Sequence, residues 1–338
     1  MSESQSERHH SVVRLLRDSM LPGLMLVATI ACANREPLPP QLISHEERFH
    51  EWQIIDTTSG QAIRMDDWMR ELAQQDVVYL GEEHHNRFHI EAALRVLRGL
   101  IERGRKPMLA MEMFGWDGQP ALDQFVSRQE INRPLFLEQV HWLQNWGGPF
   151  EDYEPLVQFA QERRLSLVAM NPPKSLIKAV MKKGLVSAQS DPEMVHWRMQ
   201  DESIVDDPLY RGRIMRQLQQ CHGGGEDKLY QSMYEASMVR DEGMAKTIVD
   251  RLVDLRLTGD PSMGPLVSYT GGGHIQYYVP VPKRVIRRAG AQVHQLSIYM
   301  TAFEKDRASD LDEMIRDKIA DYVWLTPVGS QGPPRRCR

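Results

Sequence analysis

The chain has 338 residues, of which 41% are hydrophobic and 26% charged; that is enough apolar material for one sizeable core with a smaller satellite and excludes a disordered or fibrous protein. A formal net charge of -5 and a pI near 6.2 give no electrostatic reason to bind nucleic acid, and the basic residues are scattered rather than striped. The three cysteines, Cys32, Cys221 and Cys337, match neither a zinc pattern nor a haem-attachment motif, and allow one disulfide at most.

Arg14 and Arg17 precede the apolar run LPGLMLVATIA, which is too short to span a bilayer but suits the hydrophobic core of a secretory signal. Small Ala31 directly before Cys32 fits cleavage ahead of a cysteine that then carries a lipid such as palmitate, although Thr29 stands where an aliphatic residue is commoner. Residues 1–31 therefore read as a signal peptide and 32–49 as a lipid-anchored tether, stiffened by Pro37, Pro39 and Pro40. The expected location is the cell envelope, anchored to a membrane, the outer one in a Gram-negative cell. A cleaved signal without lipid, or an uncleaved anchor, is the simpler alternative.

From about His50 the sequence predicts a small hairpin with a turn at Ser59-Gly60, then a helix from Met65 to Gln74. Val77 to Leu80 is a compact apolar strand closed by Gly81, and Ile90, Leu94, Leu97 and Ile101 recur at helical spacing up to Gly104. The pattern repeats with a strand at Met108–Met111 before Glu112 and a helix from Gln119 to Arg128. It returns at Leu165–Met170 before Asn171-Pro172-Pro173 and a further helix. No convincing strand appears between about 193 and 257, and Met244, Ile248, Leu252 and Leu255 mark a helix there, so this stretch reads as a helical insertion or lid. Strands resume at Leu266–Thr270, Val293–Tyr299 and Tyr322–Leu325, and residues 327–338 read as a loose tail. The fold class is α/β: a mainly parallel sheet over residues 50–326, flanked by helices, with a smaller helical subdomain.

In such sheets the ligand crevice lies outside the carboxyl ends of the strands, where the polar clusters of this chain fall. Glu82, Glu83, His84 and His85 follow the first strand; alternation would turn Glu82 and His84 to the crevice together, as a base with its orienter or as ligands of a divalent metal. A solvated polar loop is the plain alternative. Glu112 ends an apolar run and needs a partner; Arg240, four residues before Met244 on the apolar stripe, is the candidate, as a structural pair with Glu112 or as a residue that binds an anionic ligand or cofactor. Gly271-Gly272-Gly273 before His274 permits close backbone approach and, if a helix starts there, favours an anion.

In order along the chain, VVYLGEEHHN, MLAMEMF, WGGPFEDYEPLVQFAQERRLSLVAMNPP, MVRDEGMAKTI and SYTGGGHIQYYVPVPKRV resemble the ChaN-type haem-binding lipoproteins, from about Asp56 to Thr326. The wider group includes Tiki proteases and erythromycin esterases, which share the G-x-x-H motif, here Gly81 to His84, and a later glutamate, here Glu112. The resemblance implies a lipid-anchored protein of iron acquisition with haem as cofactor, a tyrosine as iron ligand and a homodimer stacking two haems. Tyr277 and Tyr278 lie near the expected crevice. Tyr153, Tyr210, Tyr230 and Tyr234 are further candidates, and so are His141, His196 and His222, with Trp142, Trp146 and Phe150 as stacking surfaces. Tyr153 shares a face with Leu156, Val157 and Ala160 and reads first as a core residue. The alternative functions are a hydrolase, esterase-like or metalloprotease-like, using Glu82, His84, Glu112 and His274, and a non-catalytic scaffold at the membrane.

Overall fold

The computed structural model describes residues 48–127, 132–221, 224, 226–330 and 332. The signal peptide, Cys32, the tether up to residue 47, Arg128, His222 and Cys337 lie outside the described residues. The strands are β1 (Ile54–Asp56), β2 (Gln61–Ala62), β3 (Val77–Glu82), β4 (Lys106–Gly115), β5 (Leu167–Asn171), β6 (Met263–Gly271), β7 (Gln295–Ala302) and β8 (Tyr322–Thr326). They form one sheet in the order β2-β1-β8-β7-β3-β6-β4-β5. Every neighbouring pair from β8 to β5 is parallel, and the β1–β2 hairpin closes one edge antiparallel to β8.

The helices of eight residues or more are α1 (Met65–Leu72), α2 (Arg87–Glu102), α3 (Gln119–Ser127), α4 (Glu154–Arg163), α5 (Lys174–Lys183), α6 (Pro208–Cys221), α7 (Asp227–Leu257), α8 (Val281–Ala289) and α9 (Ala308–Arg316). Strand alternation divides the core between them. Val78 and Leu80 of β3 pack with Leu72, Leu97, Leu122 and Leu156 of α1 to α4, whereas Val77 and Tyr79 pack with Met244, Ile248 and Val285 of α7 and α8. The sheet is thus covered on both faces, which is why its strands read as continuous apolar runs. Between β5 and β6 every regular element among the described residues is helical.

Several boundaries differ from the sequence expectation because backbone pairing outlasts apolar side chains. Strand β3 continues through Gly81 and Glu82, which pair with Thr270 and Gly271 of β6. Strand β4 runs on to Gly115, with an irregular register to β5 after Met111, so Glu112 lies inside the strand rather than behind it. Strand β7 begins at Gln295 rather than Val293 and ends at Ala302. No helix among the described residues is long and apolar enough to cross a membrane.

Candidate functional site

At the carboxyl ends of β3, β4 and β6 two carboxylates leave the sheet on opposite faces. Glu82 continues the alternation of Val78 and Leu80, and Glu112 that of Met108 and Ala110. Their side chains are nearly inaccessible, so each requires donors. Glu82 Oε1 accepts from the Tyr153 hydroxyl at 3.0 Å and from the Nδ1–H of His84 at 2.7 Å, and Oε2 accepts from Tyr269 at 2.6 Å. Glu112 Oε2 accepts from the Thr270 hydroxyl and from the Gly271 N–H, both at 2.7 Å, and its Oε1 lies 3.2 Å from Nε2 of His274. The Nδ1–H of His274 donates to Asp241 Oδ1 at 2.5 Å, and Tyr210 donates to the other oxygen of Asp241 at 2.5 Å. A continuous chain of hydrogen bonds thus runs from Tyr210 in α6 through Asp241 in α7 to His274 and Glu112.

The glycines in this arrangement serve close approach. A Cβ on Gly81 would come within 2.6 Å of Ile275 and 3.0 Å of the Gly272 Cα, and one on Gly271 within 2.9 Å of the His84 ring. No regular helix starts at Gly271, contrary to the conditional expectation of an anion site. A single turn, Gly272–His274, follows, and the free amide is spent on the chain's own Glu112.

Charge is distributed unevenly over the two histidines. Burial opposes protonation of His274, but Glu112 and Asp241 on either side outweigh it and hold its pKa at about 10. Burial likewise favours a neutral Glu112, yet the charge and hydrogen bond of His274, reinforced by His84 and Arg240, hold its carboxyl well below the ordinary range. His84 is raised too: burial lowers it, and the hydrogen bond and charge of Glu82 more than offset that. At neutral pH His274 is therefore an imidazolium clamped between carboxylates. His84 differs in access, because its side chain is 42% exposed against 19% for His274. With Nδ1 on Glu82, His84 is the more open imidazole of the two, and its ring meets that of Trp146 at a steep angle with 5.0 Å between ring centres.

Glu82, His84, Glu112 and His274 are therefore brought together, as two carboxylate–imidazole pairs. Arg240 acts on Glu112 through its field but makes no hydrogen bond to it; the expected Arg–Glu pair is replaced by His274, Thr270 and Gly271. Glu82 and His84, candidates for a divalent metal, bond each other, and no group of three or more His, Cys, Asp or Glu among the described residues is disposed to hold one. Glu83 turns away to accept from Thr301 and the Ala302 amide, and His85 pairs with Asp152 at 2.6 Å.

The tyrosines separate clearly. The hydroxyls of Tyr79, Tyr153, Tyr210, Tyr234, Tyr269, Tyr278 and Tyr322 each donate to a protein acceptor. Burial, with Glu82 adding, pushes Tyr153 far above the usual phenol range, and burial with Asp321 does the same to Tyr278. Tyr277 has no such bond among the described residues: its half-buried ring lies under Arg213, whose Cζ is 3.4 Å from the ring centre. Tyr277 and Tyr278 both hold left-handed backbone, φ 57° and 59°, an unusual conformation for bulky residues that must be enforced by their surroundings.

Asp241 and Tyr269 are site residues that no motif in the sequence singles out. Asp241 carries the same signal as Arg240, lying three residues before Met244 on the stripe where Arg240 lies four before. Tyr269 was hidden inside an apolar strand. His141 and His196 stand apart from these bonds, and Trp142 and Phe150 pack in the core at 5.0 Å from each other.

In fold, the chain is similar to a ChaN of Campylobacter jejuni whose structure is described as cofacial haem binding. The TM-score is 0.62 at 18% identity, over 80% of this chain and 95% of that one. An erythromycin esterase in its open conformation aligns at TM-score 0.41 and 15% identity, over 75% of this chain and 77% of the esterase. A curated relative, the chloroplastic protein RETICULATA-RELATED 5 of Arabidopsis thaliana, is 24% identical over 264 residues, 74% of this chain, and the chain spans about a third (34%) of that protein's length. The family model described as haem-binding uptake, Tiki superfamily, ChaN matches residues 68–285, well over half of the sequence, and the chain belongs to that family.

Proposed function

We propose that this chain is a haem-binding lipoprotein of the cell envelope, working in iron acquisition, that takes the haem iron through Tyr277 beside the strand-end site. The observation that carries the reading is the uncommitted phenol of Tyr277, held in left-handed backbone next to the glycine loop of a ChaN-family chain. A phenolate is a hard anionic donor suited to ferric iron, and axial-ligand identity is a main lever by which a protein sets haem chemistry. The residues present fit the group at the iron: the Tyr277 hydroxyl makes no hydrogen bond among the described residues, and a part-buried cation, Arg213, lies over its ring. Bound haem would supply the iron that the protein carries. The leader and Cys32 support an envelope location. A homodimer with two haems face to face accords with the cofacial binding described for the Campylobacter ChaN.

Titration of haemin into the purified protein tests this reading. A saturable Soret shift at fixed stoichiometry is expected; a featureless, non-saturating response refutes haem binding.

One observation favours a second reading. His84, oriented by Glu82 and partly exposed, has the form of a general base. Under this reading a hydrolase turns over esters or peptides, with or without added divalent metal, and His84→Ala and Glu112→Ala each slow it by about a hundredfold or more. Equal background rates in wild type and both variants would remove it for those substrates.

A further inference from the structure

Arg213 in α6 and Arg240 in α7 each bury Nε without a hydrogen-bond partner, and neither guanidinium is paired with a carboxylate among the described residues. Two other arginines bury an unpartnered Nε, and Arg284 buries an unpartnered Nη2 as well, but each of the two has an acceptor on the chain. Arg105 donates to the carbonyls of Pro261 and Met263, and Arg284 donates to that of Pro280 and lies 3.4 Å from Glu242. Withdrawing a guanidinium from water without an acceptor is costly, and its planar fork is matched by a carboxylate.

The chain's own carboxylates around this pair are already taken. Asp206 accepts from Arg211 and Tyr234, Asp207 pairs with Lys283, and Glu242 is held by Arg287 and Arg288. Asp241 is filled by Tyr210 and His274, and Glu112 by Thr270, Gly271 and His274. Both arginines border the same loop: Arg213 stacks on Tyr277, Arg240 directly precedes Asp241, which bonds His274, and Gln217, one turn beyond Arg213, comes within 3.8 Å of where a Cβ on Gly273 would stand.

We propose that Arg213 and Arg240 form a carboxylate-binding subsite that receives the propionate edge of the porphyrin, setting its acidic side against α6 and α7. The assignment rests on the haem reading above. Iron ligation and carboxylate recognition are separate demands, so they respond to separate changes in the ligand.

The test compares haemin with haemin dimethyl ester, and iron-free protoporphyrin IX with its dimethyl ester, in one detergent-containing buffer. Binding is followed through the Soret band and quenching of tryptophan fluorescence in wild type, Arg213→Gln, Arg240→Gln and the double variant. Wild type is expected to prefer each free acid over its ester by roughly tenfold to a hundredfold, the range of one or two charge-assisted hydrogen bonds. The variants should lose that preference, their acid-to-ester affinity ratio falling toward one. An unchanged acid-to-ester ratio in the variants would overturn the subsite and leave haem binding standing. Equal loss of acid and ester in a variant would also overturn it, because that result marks a structural role. If neither haemin nor its ester binds wild type saturably, the haem reading and the subsite fail together.

Discussion

Replacing Glu112 by Gln is expected to cost roughly 3–5 kcal/mol of stability near neutral pH, the usual penalty for removing one partner of a buried ion pair. The amide oxygen of glutamine can still accept from Gly271 and Thr270, but its NH2 then faces the Nε2–H of the His274 imidazolium, donor against donor. The pH dependence has a definite sign. His274 is raised from an ordinary 6.5 to about 10, so its contribution is complete below pH 6.5 and is lost as pH climbs from there through about 10. Glu112 is depressed from an ordinary 4.5, so its contribution is complete above pH 4.5 and is lost as pH falls below it. These two groups together place the wild-type plateau between pH 4.5 and 6.5, with an alkaline decline. In Glu112→Gln the folded pKa of His274 falls, the alkaline decline becomes shallower, and the gap to wild type narrows at high pH. Urea denaturation at pH 5.5, 7.5 and 9.5 measures this. A loss below about 1 kcal/mol at every pH would contradict the buried pair.

Local rules expose much of this molecule. The apolar runs at Val77, Met108, Leu165 and Leu266 gave four neighbouring strands of a sheet covered on both faces, because burial on both sides leaves no polar alternation to obscure them. The pairing of Glu82 with His84 was legible too, since residues two apart on an extended segment point the same way. Partners from distant elements were less accessible. Helical phase alone points Arg240 toward Glu112, but phase fixes a direction and not a reach. The shorter route to Glu112 is His274, carried to it by a turn that three glycines permit. Asp241 and Tyr210 enter only once α6 lies across α7, a packing relation with no counterpart in local spacing.

The same distinction governs the tyrosines. Tyr153 looked like a core residue on its helical face; it is fully buried, and its hydroxyl completes the shell of Glu82. Tyr277 and Tyr278 looked equivalent as neighbours after the glycine loop. Consecutive left-handed residues turn them apart, Tyr278 toward Asp321 and Tyr277 beneath Arg213. No local signal separates them.

Tyr277→Phe is therefore the substitution expected to change haem binding most. Wild type loaded with haemin is expected to show the high-spin ferric spectrum and phenolate-to-iron charge-transfer band of a tyrosinate ligand, and the variant should lose that band. Its affinity for haemin should fall by more than roughly tenfold, which is the smallest loss seen when even an outer-shell partner of a metal is removed. Iron-free protoporphyrin should bind as before, since the aromatic ring and the stacked Arg213 are retained. Tyr278→Phe supplies the contrast. It removes the donor to Asp321 and the Gln295 carbonyl, so it should lower stability by about 1–3 kcal/mol without altering the haem spectrum. If Tyr277→Phe leaves the spectrum intact and His84→Ala shifts it, the iron ligand is the accessible imidazole that Glu82 orients, and the tyrosine assignment falls.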